Sequence, residues 1–200
     1  MHFLKNSMLQ FPHSGAARTD RGSLYGWRHH LWLILLVAAS VAFSLGFACA
    51  TPFAAFSAAA ALSLDRRDSL LLTVAVWFAN QFVGFTLLRY PWTSNSLGWG
   101  LALGIAAILA TLTAHWSKRL FKGTTWIADY VAAFLATFAV FEGVLFVVGL
   151  LLLGGMEDFA PGIVGRIFAI NSAAFLGLLI LNWLARVSGF VPVQVRPAHQ

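Results

Sequence analysis

The chain has 200 residues, 60% of them hydrophobic and 10% charged, with a formal net charge of +6. Soluble domains carry about 25% charged and 45–50% apolar residues, so these few charges cannot cover a water-soluble globule, and soluble enzymes, disordered tails and nucleic-acid modules are excluded. The single cysteine excludes an internal disulfide and leaves a Cys/His zinc framework short of ligands.

A helix that crosses the hydrocarbon needs about 20 mainly apolar residues. Residues 1–30 are polar, hold Arg18, Arg21 and Arg28, and read as a cytoplasmic tail. An uncharged run then extends from Leu31 to Leu64, interrupted only at Ala48-Cys49-Ala50-Thr51-Pro52. It is too long for one crossing and barely enough for two. Thr51 followed by Pro52 has the form of an N-cap and a first-turn proline. The run therefore reads as a tight hairpin, Leu31–Phe47 and Pro52–Leu64, whose second arm is short and needs tilt or extension toward Asp65. Ala48-Cys49-Ala50 also has the small-x-small look of a signal-peptidase site. The long polar leader and the apolar sequence resuming at Pro52 favour a retained span.

Four further spans follow at Ser69–Leu88, Leu97–His115, Trp126–Leu153 and Pro161–Leu184. The expectation is an all-α, polytopic bundle of six transmembrane helices over residues 31–185, with a tail at 186–200. In that topology Lys5, Arg18, Arg21, Arg28, Arg66, Arg67, Lys118, Arg119, Lys122, Arg186 and Arg196 share one side, and only Arg89 and Arg166 of the 13 basic residues lie toward the other. The positive-inside rule then puts both termini in the cytoplasm. It also accounts for the basic pI of about 10.3 without a nucleic acid. The expected location is a bacterial inner membrane, with the lipid bilayer as the first partner.

The outer loops, Ala48–Pro52, Arg89–Ser96 and Gly154–Ala160, concentrate reactive and hydrogen-bonding groups and suggest a pocket opening outward. Cys49 is either a thiolate that ligates a soft metal centre beside a helix N-terminus or a small hydrophobe packed between helices. Intramembrane polar groups are costly and often functional. Asn80, Glu142, Arg166 and Asn171 are read as lining a central cavity, and the competing reading is a structural Glu142–Arg166 pair with interhelical amide bonds. Asn80 and Gln81 lie about 100° apart on their helix, so at most one of them is expected to face a given neighbour. Tyr90, Trp92 and Asn95 of the second outer loop complete the set expected to contact a ligand by stacking and hydrogen bonding. Asp129 reads as a first-turn helix-dipole partner. Transmembrane haem lacks paired axial ligands here, and no Walker A motif supplies ATP hydrolysis.

Ala38, Ala42 and Gly46 form a small-residue stripe on the first helix, and Ala54, Ala58 and Ala61 form one on the second. Such stripes serve either internal packing or docking of a partner subunit. Six spans in this length, cytoplasmic termini, short outer loops and the Ala38/Ala42/Gly46 stripe resemble the substrate-binding S-components of energy-coupling factor transporters. That resemblance implies a protein that binds a vitamin-like or metal-containing small molecule from outside, under the first, third and fifth loops. It also implies docking through the stripe onto a coupling membrane subunit that works with ATPases. The solitary cobalamin type of this family uses a cysteine on the corrinoid cobalt, and Cys49 is similar in role. No tightly held cofactor follows from this; a corrinoid would be the transported ligand. Two readings from other classes remain open: a membrane enzyme with Cys49 as nucleophile and Arg166 as oxyanion partner, and an assembly subunit of a membrane complex.

Overall fold

The structure is a computed structural model that describes residues 16–46, 51–120 and 125–188. The described residues form helices α1 (Ala16–Gly46), α2 (Phe53–Ser63), α3 (Arg66–Thr86), α4 (Ser94–Leu120), α5 (Trp126–Val148) and α6 (Pro161–Val187). A π-helical turn, Gly149–Leu153, prolongs α5, and a short 3₁₀ turn at Met156–Phe159 leads into α6. The all-α bundle expected from the sequence is observed. Five stretches are long and apolar enough to cross a membrane: Trp27–Gly46, Arg66–Thr86, Ser94–Lys118, Ile127–Leu153 and Pro161–Val187.

The second arm of the expected hairpin is the exception. Helix α2 has 11 residues, a length of about 16 Å against a hydrocarbon thickness of about 30 Å. It neither tilts to span nor continues through Asp65. Leu64 leaves the helix in an extended conformation, and Asp65 caps α3 by accepting from the Asp68 N–H at 2.8 Å. At the other terminus, α1 begins at Ala16, well ahead of the apolar run, so part of the expected tail is helical.

Helix α2 is apolar on every side, and such a helix belongs inside a bundle. Ala54, Ala55, Ala58 and Ala61 are completely buried, and α2 packs against α3, α4, α5 and α6. Helix α4 answers with Ala106, Ala107, Ala110 and Ala114, also completely buried, and the Ser57 hydroxyl donates to the Ala107 carbonyl at 3.2 Å. Small residues on both sides let the backbones approach, which is the main source of helix association where lipid competes equally for apolar surface. The second-helix stripe is thus used internally. The Ala38, Ala42 and Gly46 stripe is not: all three are exposed, while the buried face of α1 carries Trp32, Leu36, Ser40 and Ser44.

Polar contacts align the helix ends. His29 Nε2 meets Asp68 Oδ2 at 2.8 Å, and Ser69 Oγ meets His115 Nε2 at 2.6 Å. Lys118 Nζ donates to the Ala61 carbonyl in the last turn of α2, and Asn182 Nδ2 donates to Ser63 Oγ at 2.8 Å. One end of the bundle therefore carries Arg28, Arg66, Arg67, Lys118 and Arg186, and Arg89 and Arg166 lie toward the other. Asp129 stands in the first turn of α5, behind a Thr125 cap, as expected for a dipole partner.

With Cys49 replaced by serine, single cysteines placed by Arg67→Cys and Glu157→Cys should label with an impermeant maleimide from opposite faces of sealed vesicles. Labelling of both from one face would refute this arrangement of ends.

Candidate polar cavity opposite the basic end of the bundle

Because α2 begins only part-way up the bundle, none of the described helices fills the space beyond its first turn. A cavity of about 700 Å³ occupies it. Its floor is formed by Ser44, Thr51, Phe53, Asn80 and Asn171, and its walls by Phe141, Glu142, Leu145, Ile163, Arg166 and Ile170. Leu88, Tyr90, Trp99, Asp158 and Phe159 stand around its upper part. This volume lies in the range of ordinary small-molecule sites.

The floor is held by two amides. Asn80 is buried in α3, and its Oδ1 accepts from the Ser44 hydroxyl and, at 3.2 Å, from Thr51 Oγ1. Its Nδ2 donates to Ser40 Oγ at 3.1 Å and to the Val76 carbonyl at 2.8 Å. Asn171 of α6 accepts from the Ala55 N–H at 3.1 Å through Oδ1 and donates to the Ile167 carbonyl at 3.0 Å. Here the sequence reading needs correction. Thr51 does not cap α2, since its hydroxyl is engaged with Asn80 and the N-cap position is Pro52, which has no side-chain cap bond. The cap on the first turn comes instead from Asn171, 116 residues along the chain.

The mouth is shaped by two turns that need positive φ. Arg89, at φ 55°, is the single non-glycine residue with positive φ among those described. It lets the Tyr90 N–H return to the Gly84 carbonyl at 3.0 Å and folds the ring onto Gly84, where a Cβ would stand 2.5 Å from Tyr90 Cε2. Across the mouth, Gly154 and Gly155 adopt φ of 75° and 80° and turn the chain from the end of α5 toward Asp158 and Phe159. π-Helical turns such as Gly149–Leu153 are frequent at functional sites.

Of the residues proposed from sequence, Asn80, Tyr90, Glu142, Arg166 and Asn171 are brought together around this cavity. Trp92 and Asn95 are not. Trp92 is 74% exposed and packs on Phe85 with ring centroids 4.6 Å apart, while Asn95 is exposed with Nδ2 3.4 Å from the Leu153 carbonyl. The turn at Arg89 carries the chain past the mouth, so these two side chains fall on the rim outside it. Cys49 lies outside the described residues. Sequence reasoning missed Ser44, Trp99 and the phenylalanines, took Thr51 only as a cap, and gave Gln81 and the outer-loop Asp158 no place in the site. Gln81 and Asn80 both line the space, because a cavity bounded by several helices presents a broader face than a single neighbouring helix.

The polar lining falls into two groups. Both floor amides are engaged by the protein through their oxygen and their nitrogen. Among the described residues, by contrast, the side chains of Gln81, Glu142, Asp158 and Arg166 make no hydrogen bond or ion pair, and no Glu142–Arg166 bridge forms. They leave one guanidinium, two carboxyls and one amide for whatever fills the cavity, beside the aromatic faces of Trp99, Phe141 and Phe159. No His/Cys/Asp/Glu cluster suited to a metal occurs among the described residues. No family model matches the chain, and no curated protein or solved structure shows significant similarity to it.

Replacing Asn80 by leucine removes its bonds to Ser40, Ser44 and Thr51, which keep only the Ser40–Val37 carbonyl and Ser44–Thr51 contacts, and should destabilise the fold by about 1–3 kcal/mol. Asn171→Leu should cost about 1 kcal/mol, the usual value of a helix cap. Thermal unfolding in detergent checks both, and an unchanged midpoint in Asn171→Leu would show that its cap on α2 is dispensable.

Proposed function

We propose that this chain is an integral membrane solute-binding protein that takes up a vitamin-like small molecule together with partner subunits. The observation that carries the reading is the cavity of about 700 Å³ whose lining includes four polar side chains without a hydrogen-bond or ion-pair partner among the described residues. Gln81 and Glu142 are half-buried, where an uncompensated polar group inside a bilayer-embedded bundle is costly, and Asp158 and Arg166 are exposed and open to a ligand entering the cavity. Arg166 would hold an anionic group, Glu142 and Asp158 would accept from donors, and Trp99, Phe141 and Phe159 would hold an apolar, planar portion.

We read the end that carries Arg28, Arg66, Arg67, Lys118 and Arg186 as cytoplasmic by the positive-inside rule. Helix α2 then returns the chain to the side from which α1 left, so that the topology counts six passes with both termini in the cytoplasm of a bacterial cell. The cavity lies toward the outer face. The chain has no nucleotide-binding motif of its own, so the energy for uptake is assigned to a coupling membrane subunit and ATPases. The outward-turned Ala38, Ala42 and Gly46 face of α1 suits docking of that subunit. This set of features supports an S-component role, with a corrinoid ligated through Cys49 as the specific ligand to try.

Small molecules co-purifying with the protein, identified by mass spectrometry, test the reading directly. Arg166→Gln should weaken retention of an anionic ligand about tenfold or more, the usual weight of a hydrogen bond to a charged group. Added corrinoid should shift its visible bands on wild type and not on Cys49→Ser. Absence of any retained molecule, with thermal stability unmoved across a panel of vitamins that includes cobalamin, would overturn solute binding. Retention of a colourless ligand with no corrinoid shift would remove cobalamin alone.

A further inference from the structure

A second concavity lies at the basic end of the bundle, away from the outer cavity. It is a cleft of about 320 Å³ between the start of α5 and the end of α6, lined by Tyr130, Leu179, Ile180, Asn182, Trp183 and Arg186. It shares no lining residue with the outer cavity. The two are separated by a phenylalanine cluster, in which Phe134 of α5 stacks on Phe175 of α6 at 4.8 Å and meets Phe168 at 5.8 Å.

Two buried polar atoms at the cleft have no partner among the described residues, Asn182 Oδ1 and Arg186 Nε. Asn182 is 9% exposed and its Nδ2 is already committed to Ser63 Oγ, so its oxygen is a fixed acceptor without a donor. Arg186 lies one turn further along the same face, in the last turn of α6. The outer side of the helix here is apolar: Ile180, Trp183 and Leu184 are 59%, 62% and 50% exposed. The cleft thus opens sideways, where a membrane protein meets lipid, at the depth where tryptophan marks the interface.

We propose that this cleft binds an anionic glycerophospholipid of the leaflet at the basic end. The phosphodiester sits on the Arg186 guanidinium, a headgroup hydroxyl donates to Asn182 Oδ1, and an acyl chain runs along Leu179 and Ile180. A phosphatidylglycerol headgroup supplies both the charge and the hydroxyl, and a phosphatidylcholine headgroup supplies no donor. Basic clefts between transmembrane helices are suited to such headgroups. The proposal is independent of the outer cavity and its ligand.

The test is native mass spectrometry of the full-length protein in detergent, titrated with phosphatidylglycerol and with phosphatidylcholine of identical chains. Wild type should retain phosphatidylglycerol in preference, and Arg186→Gln should lower that retention roughly fivefold, the effect of one cation near a lipid headgroup. Asn182→Leu should also weaken it. Arg67→Gln, which removes a charge at the same end but away from the cleft, should leave retention unchanged. Equal retention of the two lipids by wild type, or equal losses in Arg186→Gln and Arg67→Gln, would overturn the site. The wild-type comparison holds even if a cleft variant fails to fold. Displacement of the lipid by excess glycerol 3-phosphate would overturn the lipid in favour of a soluble phosphate ligand.

Discussion

A short helix buried on all sides within an apolar bundle leaves unpaired backbone groups at both ends, and in a membrane there is no water to receive them. The architecture of this protein depends on how α2 meets that constraint. At its start, proline removes one donor and Asn171 of α6 accepts from another. At its end, Lys118 of α4 donates to the Ala61 carbonyl, placing a cation at the negative pole of the helix. Each end is therefore tied to a different long helix. Asn171, which looks like an isolated intramembrane group in the sequence, and Lys118, which looks like one more basic residue past the end of a span, are the fastenings of α2.

The same constraint produces the cavity. A second helix of full length would fill the outer half of the bundle with alanine packing, as the inner half is filled by α2 against α4. Stopping at Pro52 leaves that half hollow, and Asn80 with Ser40, Ser44 and Thr51 closes the floor by joining α1 to α3. The inner half is thus a packed core and the outer half a lined chamber. The asymmetry of the hydrophobic run, one long arm and one short, is the direct origin of a site at the end opposite the basic residues.

Much of this was legible in the sequence. The long spans follow from hydropathy and charged punctuation, and the separation of Arg66, Arg67, Lys118 and Arg186 from Arg89 and Arg166 follows from counting loops. The shortness of the second arm was visible in a run barely sufficient for two crossings. Its burial was not, since the segment reads as a tilted or extended span, although Phe53–Ser63 holds only Ser57 and Ser63 as polar residues. Less legible was anything that depends on helix rotation or long-range partnership. Thr51 has the composition of a cap, yet its hydroxyl is drawn to Asn80, and the actual cap is too distant in the chain for local rules to find. Trp92 and Asn95 belong to the right loop, but the left-handed turn at Arg89 decides that Tyr90 faces inward and they do not.

Under the proposed function, the two halves also limit how a solute leaves. The floor of the chamber is α2, and passage toward the basic end by displacing it would break its packing with four helices and both of its fastenings at once. Reorientation of the whole bundle leaves those contacts intact and exchanges only lipid-facing surface. The exposed face of α1, where Ala38, Ala42 and Gly46 project almost nothing beyond the backbone, permits close approach of another helix. A rigid inner half, a chamber that does not extend through the bundle and one smooth outer helix face together favour movement of the protein as a body over a path opening through its centre.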